Sequence, residues 1–460
     1  MKRILFSALL ILALLLGTFS TAFAGKGRGM VGINVVLNTD VTDQILADLG
    51  HYGKVRDVIY EIRGVTLQAR ARDLATIQAL PYVAAANPDD ERTGAPVDTV
   101  SAEDFMNGLS TWDLDAINVT DYGFDNRQVG YDGSGVYVAV LDTGLLDSWR
   151  QYLPQERIAV KYARAFGGGG GDVGWVSTQP NKWEHDQNSH GTHVTSTILG
   201  YSLRGTPVNG VAPLATVIPV KVLNQNGSGW SSVVARGIDY VAELKEGPLA
   251  EYPVVINMSL GGPDLDALEK AAIDNAINKG VIIVAAAGNE GDKGMGYPGA
   301  YAPVISAAAS GWTGEWVDSA GKYSRSWWTR NVADPTVAGD FYITDFSSRQ
   351  LEGQDLDVAA PGSWVVGPYQ LQSGYTSYYF LGGTSMASPH VAGTVALMAQ
   401  KDPALTAGEA ESILENSSIY LAPDCRTILG PSGAEEEYCW DADATGSGLL
   451  DAAAALAATP

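Results

Sequence analysis

The pattern of apolar and polar positions divides this chain into a small N-terminal region and a larger body. In the N-terminal region, short apolar runs and amphipathic stretches predict the element order β-α-β-β-α-β. The predicted elements are strand 30–37, helix 42–49, strands 55–62 and 64–69, helix 72–80 and strand 82–86. This order is that of the split, ferredoxin-like α+β arrangement.

The body alternates buried strands with amphipathic helices. The predicted strands are 136–141, 217–223, 254–258, 281–287 and 304–308, and the predicted helices are 231–246 and 265–279. Apolar strands alternating with helices predict an α/β fold, a mostly parallel sheet with helices on both faces. The five glycines 167–171 lack the lysine and Ser/Thr of a phosphate-binding loop, so we expect a mobile surface loop there.

The first residues predict export from the cell. Lys2 and Arg3 precede the apolar run 4–16, and Ala22 and Ala24 offer a small-residue cleavage site, so residues 1–24 are interpreted as a signal peptide. No other stretch reaches the length of a membrane span, which argues against an integral membrane protein. The sequence therefore predicts a secreted, extracellular protein.

Charge narrows the range of partners. The chain has 52 acidic and 29 basic residues and a net charge of −23, and the acidic excess lies in residues 99–460. Such a surface repels nucleic acid and anionic membranes and favours solubility, although it identifies no substrate.

The candidate chemistry lies at the ends of predicted elements. Ser385 sits in a Gly-Thr-Ser turn that opens an apolar helix, His190 opens another helix, and Asp142 ends the first strand of the body. A serine needs a base to become a nucleophile, and a carboxylate can orient that base. Each residue alone has an ordinary alternative as a cap or turn residue. His190 and His193 could instead form part of a metal site, although the zincin motif is absent.

The sequence motifs around these residues resemble those of a known protein family. They read Val140-Leu141-Asp142-Thr143-Gly144, Ser189-His190-Gly191-Thr192-His193-Val194 and Gly383-Thr384-Ser385-Met386-Ala387-Ser388-Pro389-His390, with Ala286-Ala287-Gly288-Asn289-Glu290-Gly291 as a fourth. From about residue 112 to the C-terminus the chain resembles the subtilisin-like serine proteases, which have this order of Asp, His and Ser. The resemblance implies a secreted serine endopeptidase that cleaves peptide bonds through an acyl-enzyme. It also implies that the enzyme needs no cofactor for catalysis.

The resemblance also assigns the substrate site. It implies that Asn289 donates to the oxyanion, although a turn role remains open. Two extended segments would hold the peptide as an added strand. They contain Gly227, Ser228 and Gly229 on one side and Ser259, Leu260 and Gly261 on the other. Ala286, Gly288 and Gly296 would form a pocket for a large apolar residue before the scissile bond, with Glu290 at its rim.

The N-terminal region then looks like the inhibitor-type propeptide that precedes many subtilases. We expect residues 25–98 to be this propeptide with its linker, an intramolecular inhibitor that the enzyme itself removes, and residues 99–460 to be the catalytic domain. A permanent accessory domain is the alternative. Protein or peptide substrates are the remaining expected partners.

Three features depart from the family pattern or stay open. Residues 311–345 form a tryptophan-rich insertion, for which we favour a packed flap over a contact site for a partner. Cys425 and Cys439 are the only cysteines, and in an oxidising compartment we expect them to pair within a loop-like segment. A structural calcium ion is possible, but no acidic spacing places it.

Overall fold

A computed structural model describes residues 29–93, 98–101, 109–124, 126–167, 176–372 and 374–460. The predicted signal peptide, most of the glycine run and residues 94–97 of the predicted linker lie outside these ranges. The described residues form two compact units. The first comprises residues 29–89 with Asp266–Leu268, and the second comprises the other described residues. The predicted boundary at residue 98, which includes a linker after the compact region, stays a prediction.

The first unit has the predicted β-α-β-β-α-β order. Its elements are β1 (Met30–Leu37), α1 (Asp43–Leu49), β2 (Gly53–Ile59), β3 (Gly64–Arg70), α2 (Leu74–Gln78) and β4 (Val83–Pro88), with a 3₁₀ turn at Ala71–Asp73. The strands form an antiparallel sheet in the order β2-β3-β1-β4. Thr42 caps α1 through its side chain, and the core contains Ile33, Val35, Val65 and Leu67.

The second unit contains the other strands and helices. Its strands are β5 (Glu91–Thr93), β6 (Asp98–Ser101), β7 (Tyr137–Asp142), β8 (Arg164–Ala165), β9 (Gly200–Leu203), β10 (Thr206–Asn209), β11 (Thr216–Lys221), β12 (Ser228–Trp230), β13 (Val254–Met258), β14 (Val281–Ala286), β15 (Ile305–Trp312), β16 (Phe341–Ile343), β17 (Val358–Pro361), β18 (Val365–Gln372), β19 (Tyr375–Gly382), β20 (Asp424–Leu429) and β21 (Glu435–Trp440). Its helices are α3 (Trp112–Ala116), α4 (His190–Leu199), α5 (Ser231–Glu246), α6 (Ala267–Asn278), α7 (Thr384–Lys401), α8 (Ala407–Ser417) and α9 (Ala452–Ala458), where α6 belongs to this unit from Glu269 onward.

The main sheet confirms the predicted α/β class. Its order is β16-β15-β14-β13-β7-β11-β8, with β17 paired to β15, and only β16 runs antiparallel to its neighbour. The five predicted strands correspond to β7, β11, β13, β14 and β15. Because β7 is central and parallel to its neighbours, its carboxyl end lies at the edge where such sheets place functional groups.

The tryptophan-rich insertion is packed, as favoured. Trp316 and Trp327 are fully buried, and Trp312 and Trp328 are nearly so. Trp112 stacks on Trp312 with ring centroids 6.2 Å apart, and Trp327 stacks on Phe380 at 5.0 Å. These rings fill the core beside β19, so they do not offer an exposed aromatic surface.

The C-terminal cysteines pair, but not in a loop. Cys425 and Cys439 form a disulfide between β20 and β21, which face each other as an antiparallel hairpin. The predicted loop was wrong because strand pairing, and not only the disulfide, orders this segment. Within the described ranges, no helix combines the length and apolar character required to span a bilayer.

Candidate active site

Asp142 and His190 form a buried pair. Asp142 ends β7, His190 opens α4, and both side chains are inaccessible to solvent. His190 Nδ1 lies 2.9 Å from each carboxylate oxygen of Asp142. The other ring nitrogen, Nε2, is buried and has no hydrogen-bond partner among the described residues. This arrangement fixes the tautomer of the imidazole and leaves Nε2 available as a base.

Ser385 lies in the first turn of α7, which packs against α4. The preceding Gly383 has φ +152°, a value that permits the sharp entry into the helix. Ser385 Oγ donates to the carbonyl of Ser259 at 3.2 Å, and Ser259 Oγ donates back to the carbonyl of Ser385 at 2.8 Å. Ser385 is therefore held at the site without a hydrogen bond to His190.

A second buried carboxylate, missed by sequence analysis, ties the two loops together. Asp186 accepts hydrogen bonds from Thr143 Oγ1 at 2.7 Å, from the amide of Ser189 at 2.7 Å and from the amide of Asn188 at 2.8 Å. Burial raises the pKa of Asp186 to about 6, and Lys221, whose Nζ lies 4.0 Å away, opposes that rise. Its position four residues before His190 was the available signal.

Asn289 is oriented by the residue before Ser385. Its Oδ1 accepts from the amide of Thr384 at 2.9 Å and from Thr384 Oγ1 at 3.0 Å. Because the amide oxygen is occupied in this way, the Nδ2 group is the one left for a ligand. This geometry favours a donor role over the simple turn role that the sequence left open.

A cavity of about 440 Å³ adjoins Ser385 and contains the predicted pocket residues. Ala286, Gly288 and Gly296 all line it. Gly288 has φ +106°, and a Cβ there would lie 2.5 Å from Glu290 Oε2. A side chain at this position would therefore be strained and would obstruct the cavity.

The cavity is less uniformly apolar than the sequence predicted. Lys293 and Gln354 line it together with Met295 and Glu290. The Glu290 carboxylate accepts from the amide of Asn289 at 2.7 Å and from Ser348 Oγ at 3.1 Å. Lys293, three residues after Glu290, was the signal that sequence analysis did not use.

The two predicted peptide-binding segments hold a strand of this chain. Ser228 and Gly229 belong to β12, which follows Gly227 and pairs antiparallel with β5. On the other side of β5, the amide and carbonyl of Thr93 exchange 3.0 Å hydrogen bonds with Gly261. Leu260 lines the cavity and Ser259 contacts Ser385. All six predicted residues therefore lie beside β5 or at Ser385. We call the space between the segments 227–229 and 259–261, which β5 occupies, the substrate track.

Among the described residues, the other core histidines are held by backbone or carboxylate partners. His193 Nε2 lies 3.1 Å from the carbonyl of Val365, and burial lowers the pKa of His193 to about 3. His390 Nε2 lies 2.9 Å from Asp113 Oδ2. Since His190 is engaged with Asp142 and His193 with backbone, the metal alternative from their spacing finds no support in the described residues.

Carboxylates group elsewhere in the second unit. Asp355, Asp357 and Glu411 place ligand atoms within 4.8 Å of one another, as do Asp115, Asp121 and Asp334. Asp357 is fully buried, and its Oδ1 has no hydrogen-bond partner among the described residues. Burial, helped by the nearby Glu411 and Asp355, raises the pKa of Asp357 to about 7, against the hydrogen bonds from Ser306, which lower it. The first group therefore has the chemistry of a cation site.

Comparison with known proteins agrees with this geometry. Residues 133–445 match the profile of the subtilase family, peptidase S8. The thermostable alkaline protease of Halalkalibacterium halodurans is 32% identical over 323 residues, 70% of this chain and 71% of that protein. Subtilisin DY of Bacillus licheniformis is 36% identical over 296 residues, 64% of this chain and 86% of that protein.

Solved structures point the same way. Sphericase shares 29% identity with a TM-score of 0.51, covering 74% of this chain and 97% of sphericase. Fervidolysin from Fervidobacterium pennivorans, a keratinolytic enzyme related to subtilisin, has a TM-score of 0.65. Its 24% identity over 94% of this chain and 62% of fervidolysin supports the fold alone.

Proposed function

The chain belongs to the subtilase family of serine endopeptidases, and from this premise we propose that Asp142, His190 and Ser385 are its catalytic triad. The observation that carries the proposal is the buried Asp142–His190 pair, with both Nδ1–carboxylate distances at 2.9 Å and with Nε2 bonded to none of the described residues. A buried imidazole held in one tautomer is what a general base requires.

The proposed reaction begins with a small movement of Ser385. Its hydroxyl leaves the Ser259 carbonyl, donates to His190 Nε2 and attacks the peptide carbonyl, while His190 takes the proton. His190 then gives that proton to the leaving amine, and Asp142 stabilises the imidazolium. Water repeats the sequence on the acyl-enzyme, releasing the acid and restoring Ser385.

The oxyanion is assigned to Asn289 Nδ2 and the amide of Ser385. Support comes from Thr384, which occupies the Asn289 oxygen with two hydrogen bonds. The amide of Ser385 lies in the first turn of α7, where backbone N–H groups lack intrahelical partners and favour negative charge.

The cavity beside Ser385 is assigned to the residue before the scissile bond. Its small lining residues Ala286, Gly288 and Gly296 leave room for a large apolar side chain. Glu290 gives secondary acceptance of Lys or Arg, which Lys293 in the same lining weakens by repulsion.

The chain is further proposed to be a secreted pre-pro-enzyme. Residues 1–24 are the proposed signal peptide, and residues 25–98 are the proposed propeptide that inhibits the enzyme until it is removed. Supporting this, Glu91–Thr93 pairs with β12 and bridges to Gly261, which is the track assigned to substrate. A strand in that track blocks the binding of any other peptide.

A structural cation is proposed for Asp355, Asp357 and Glu411. No cation takes part in the chemistry. Support comes from Asp357: its Oδ2 accepts from the amide and hydroxyl of Ser306, whereas its buried Oδ1 has no partner among the described residues. A buried oxygen of this kind is costly unless a cation or donor compensates it. Oxygen donors of this kind suit calcium.

Labelling with a fluorophosphonate tests the function. The processed protein should take up one label at Ser385, lose activity with a sulfonyl fluoride and retain activity with a short exposure to chelator. Ser385→Ala should take up none. Absence of labelling would favour a catalytically silent binding protein. Inhibition by a chelator but not by a sulfonyl fluoride would favour a metallohydrolase.

A further inference from the structure

Arg92 is the most completely enclosed cation among the described residues of the second unit. Its residue is 0% exposed, although it belongs to the three-residue strand β5. The guanidinium makes three hydrogen bonds to the Glu269 carboxylate, from Nε to Oε1 at 3.3 Å, from Nε to Oε2 at 3.0 Å and from Nη2 to Oε2 at 2.6 Å. Glu269 is itself 0% exposed.

The surrounding pocket fits a guanidinium in shape as well as charge. Nη2 also donates to the carbonyl of Asp264 at 3.1 Å. Gly262 forms a wall, because a Cβ there would lie 2.5 Å from Arg92 Nη1 and 2.6 Å from the carbonyl of Glu91. The Nε and Nη2 donors of Arg92 together meet the Glu269 carboxylate and the Asp264 carbonyl, a forked set of hydrogen bonds that arginine can make and lysine cannot.

The strand that carries Arg92 lies in the proposed substrate track. Ser228 pairs with Thr93 and Trp230 with Glu91, while Gly261 bridges to Thr93 from the other side. Because Thr93 and Gly261 are antiparallel, a peptide in this register places the second residue after Thr93 opposite Ser259. Ser259 contacts Ser385 directly. A substrate residue opposite Ser259 would be the one directly before the scissile bond. Arg92 lies three residues earlier, so it corresponds to the fourth residue before that bond.

We propose that Glu269, the Asp264 carbonyl and Gly262 form a substrate subsite selective for arginine at the fourth residue before the scissile bond. In the proform Arg92 fills it. After the proposed propeptide is removed, the arginine of a substrate takes the place of Arg92. This inference rests on the proposed endopeptidase function and names the sequence class of its substrates.

The physical basis for selectivity is the buried carboxylate. A peptide without a guanidinium at this position leaves Glu269, which is 0% exposed with Arg92 in place, without the hydrogen bonds that Arg92 makes. Hydrogen bonds to a charged group exceed neutral ones, so we expect roughly 10- to 100-fold discrimination. A lysine supplies the positive charge but cannot make the forked hydrogen bonds of a guanidinium. It should therefore rank between arginine and an uncharged side chain.

Four matched fluorogenic peptides test the proposal on the processed enzyme. They share an apolar residue before the scissile bond and differ only at the fourth position, which is arginine, lysine, citrulline or norleucine. We expect kcat/KM to fall in the order arginine, lysine, then citrulline and norleucine, with at least about tenfold between the first and last. Citrulline keeps the shape of arginine without its charge, and so isolates the role of the carboxylate.

Glu269→Gln should abolish the preference, so that the four peptides are cleaved within about threefold of one another. Asp274→Asn is the matched control, since it removes a surface carboxylate from the same helix α6 and should keep the preference. If Glu269→Gln does not fold, the four peptides on the wild-type enzyme still decide.

Equal cleavage of arginine and norleucine peptides by an active wild-type enzyme would overturn the subsite and leave the proposed function intact. Arg92 would then be a structural ion pair of the proform. If no peptide is cleaved and Ser385 takes up no phosphonate, the proposed function fails and the subsite fails with it.

Discussion

Thr143 Oγ1 donates a 2.7 Å hydrogen bond to the buried carboxylate of Asp186. The same oxygen accepts from the amide of Gly191 at 3.0 Å. Thr143 follows Asp142 and Gly191 follows His190, while Asp186 also holds the amide of Ser189. One carboxylate therefore fixes the backbone on both sides of the proposed Asp–His pair.

Asp186→Asn should lower kcat by roughly 10- to 100-fold with little change in KM, because misplacing a catalytic group costs turnover more than binding. Asp186→Ala should lower kcat further, since asparagine keeps one acceptor oxygen and alanine keeps none. Steady-state kinetics on one peptide, with thermal unfolding of each variant, would measure this. Equal losses in the two variants, in proportion to lost stability, would mean that Asp186 only stabilises the fold.

Asn289→Ala should lower kcat by about 10²–10³, the loss that follows removal of one oxyanion donor in the related subtilisin. Thr384→Val should produce a smaller loss, because it removes one of the two hydrogen bonds that orient Asn289 but leaves the donor present. The double variant separates the two roles. If Thr384→Val adds a further loss when Asn289 is already alanine, Thr384 does not act through Asn289.

The secondary-structure elements and the sequence motifs of this fold could be predicted from the sequence better than its long-range contacts could. Helix Ser231–Glu246 and strand Val254–Met258 have the predicted bounds, because periodicity is a local property. The Arg92–Glu269 pair joins residues 177 apart and depends on a strand of three residues, too short for any pattern. Burial of the tryptophans in 311–345 likewise depends on Phe380 and Trp112, which lie far away in sequence.

Removal of calcium by a chelator should lower the melting temperature, and more at pH 8 than at pH 5. Burial raises the pKa of Asp357 and of Glu411 to about 7 in the folded protein, above the values of about 4 of unfolded acids. Without a cation, the folded state therefore holds more protons, and stability falls as pH rises from about 4 to about 7. A bound cation offsets this loss, by about 2.7 kcal/mol at 100 times its Kd.

Melting curves with calcium and with chelator at both pH values would measure the effect, with Asp357→Asn as the comparison. Asparagine removes the charge that the cation compensates, so this variant should show a smaller response to chelator. An identical response in wild type and Asp357→Asn would place any stabilising cation elsewhere.

Ser385→Ala should be secreted as an uncut proform. The segment Glu91–Thr93 already occupies the proposed substrate track, and tethering gives the following linker a high effective concentration at the nucleophile. Removing the nucleophile of the related subtilisin lowers turnover by about 10⁶, so self-cleavage should stop while the fold persists. By intact mass, the wild type should begin between about Asn87 and Gly108, and the variant at Gly25.

Ser388→Ala provides the matched control, because it makes the same substitution in the same helix at a serine that instead donates to Asn257 at 2.8 Å. It should be processed like the wild type. Adding active enzyme to the Ser385→Ala proform should trim it at the wild-type site, since the variant retains a cleavable linker. If Ser385→Ala matures at the same site and rate in a host without other proteases, then Ser385 is not the nucleophile, because a methyl group cannot replace the hydroxyl that attacks the peptide carbonyl.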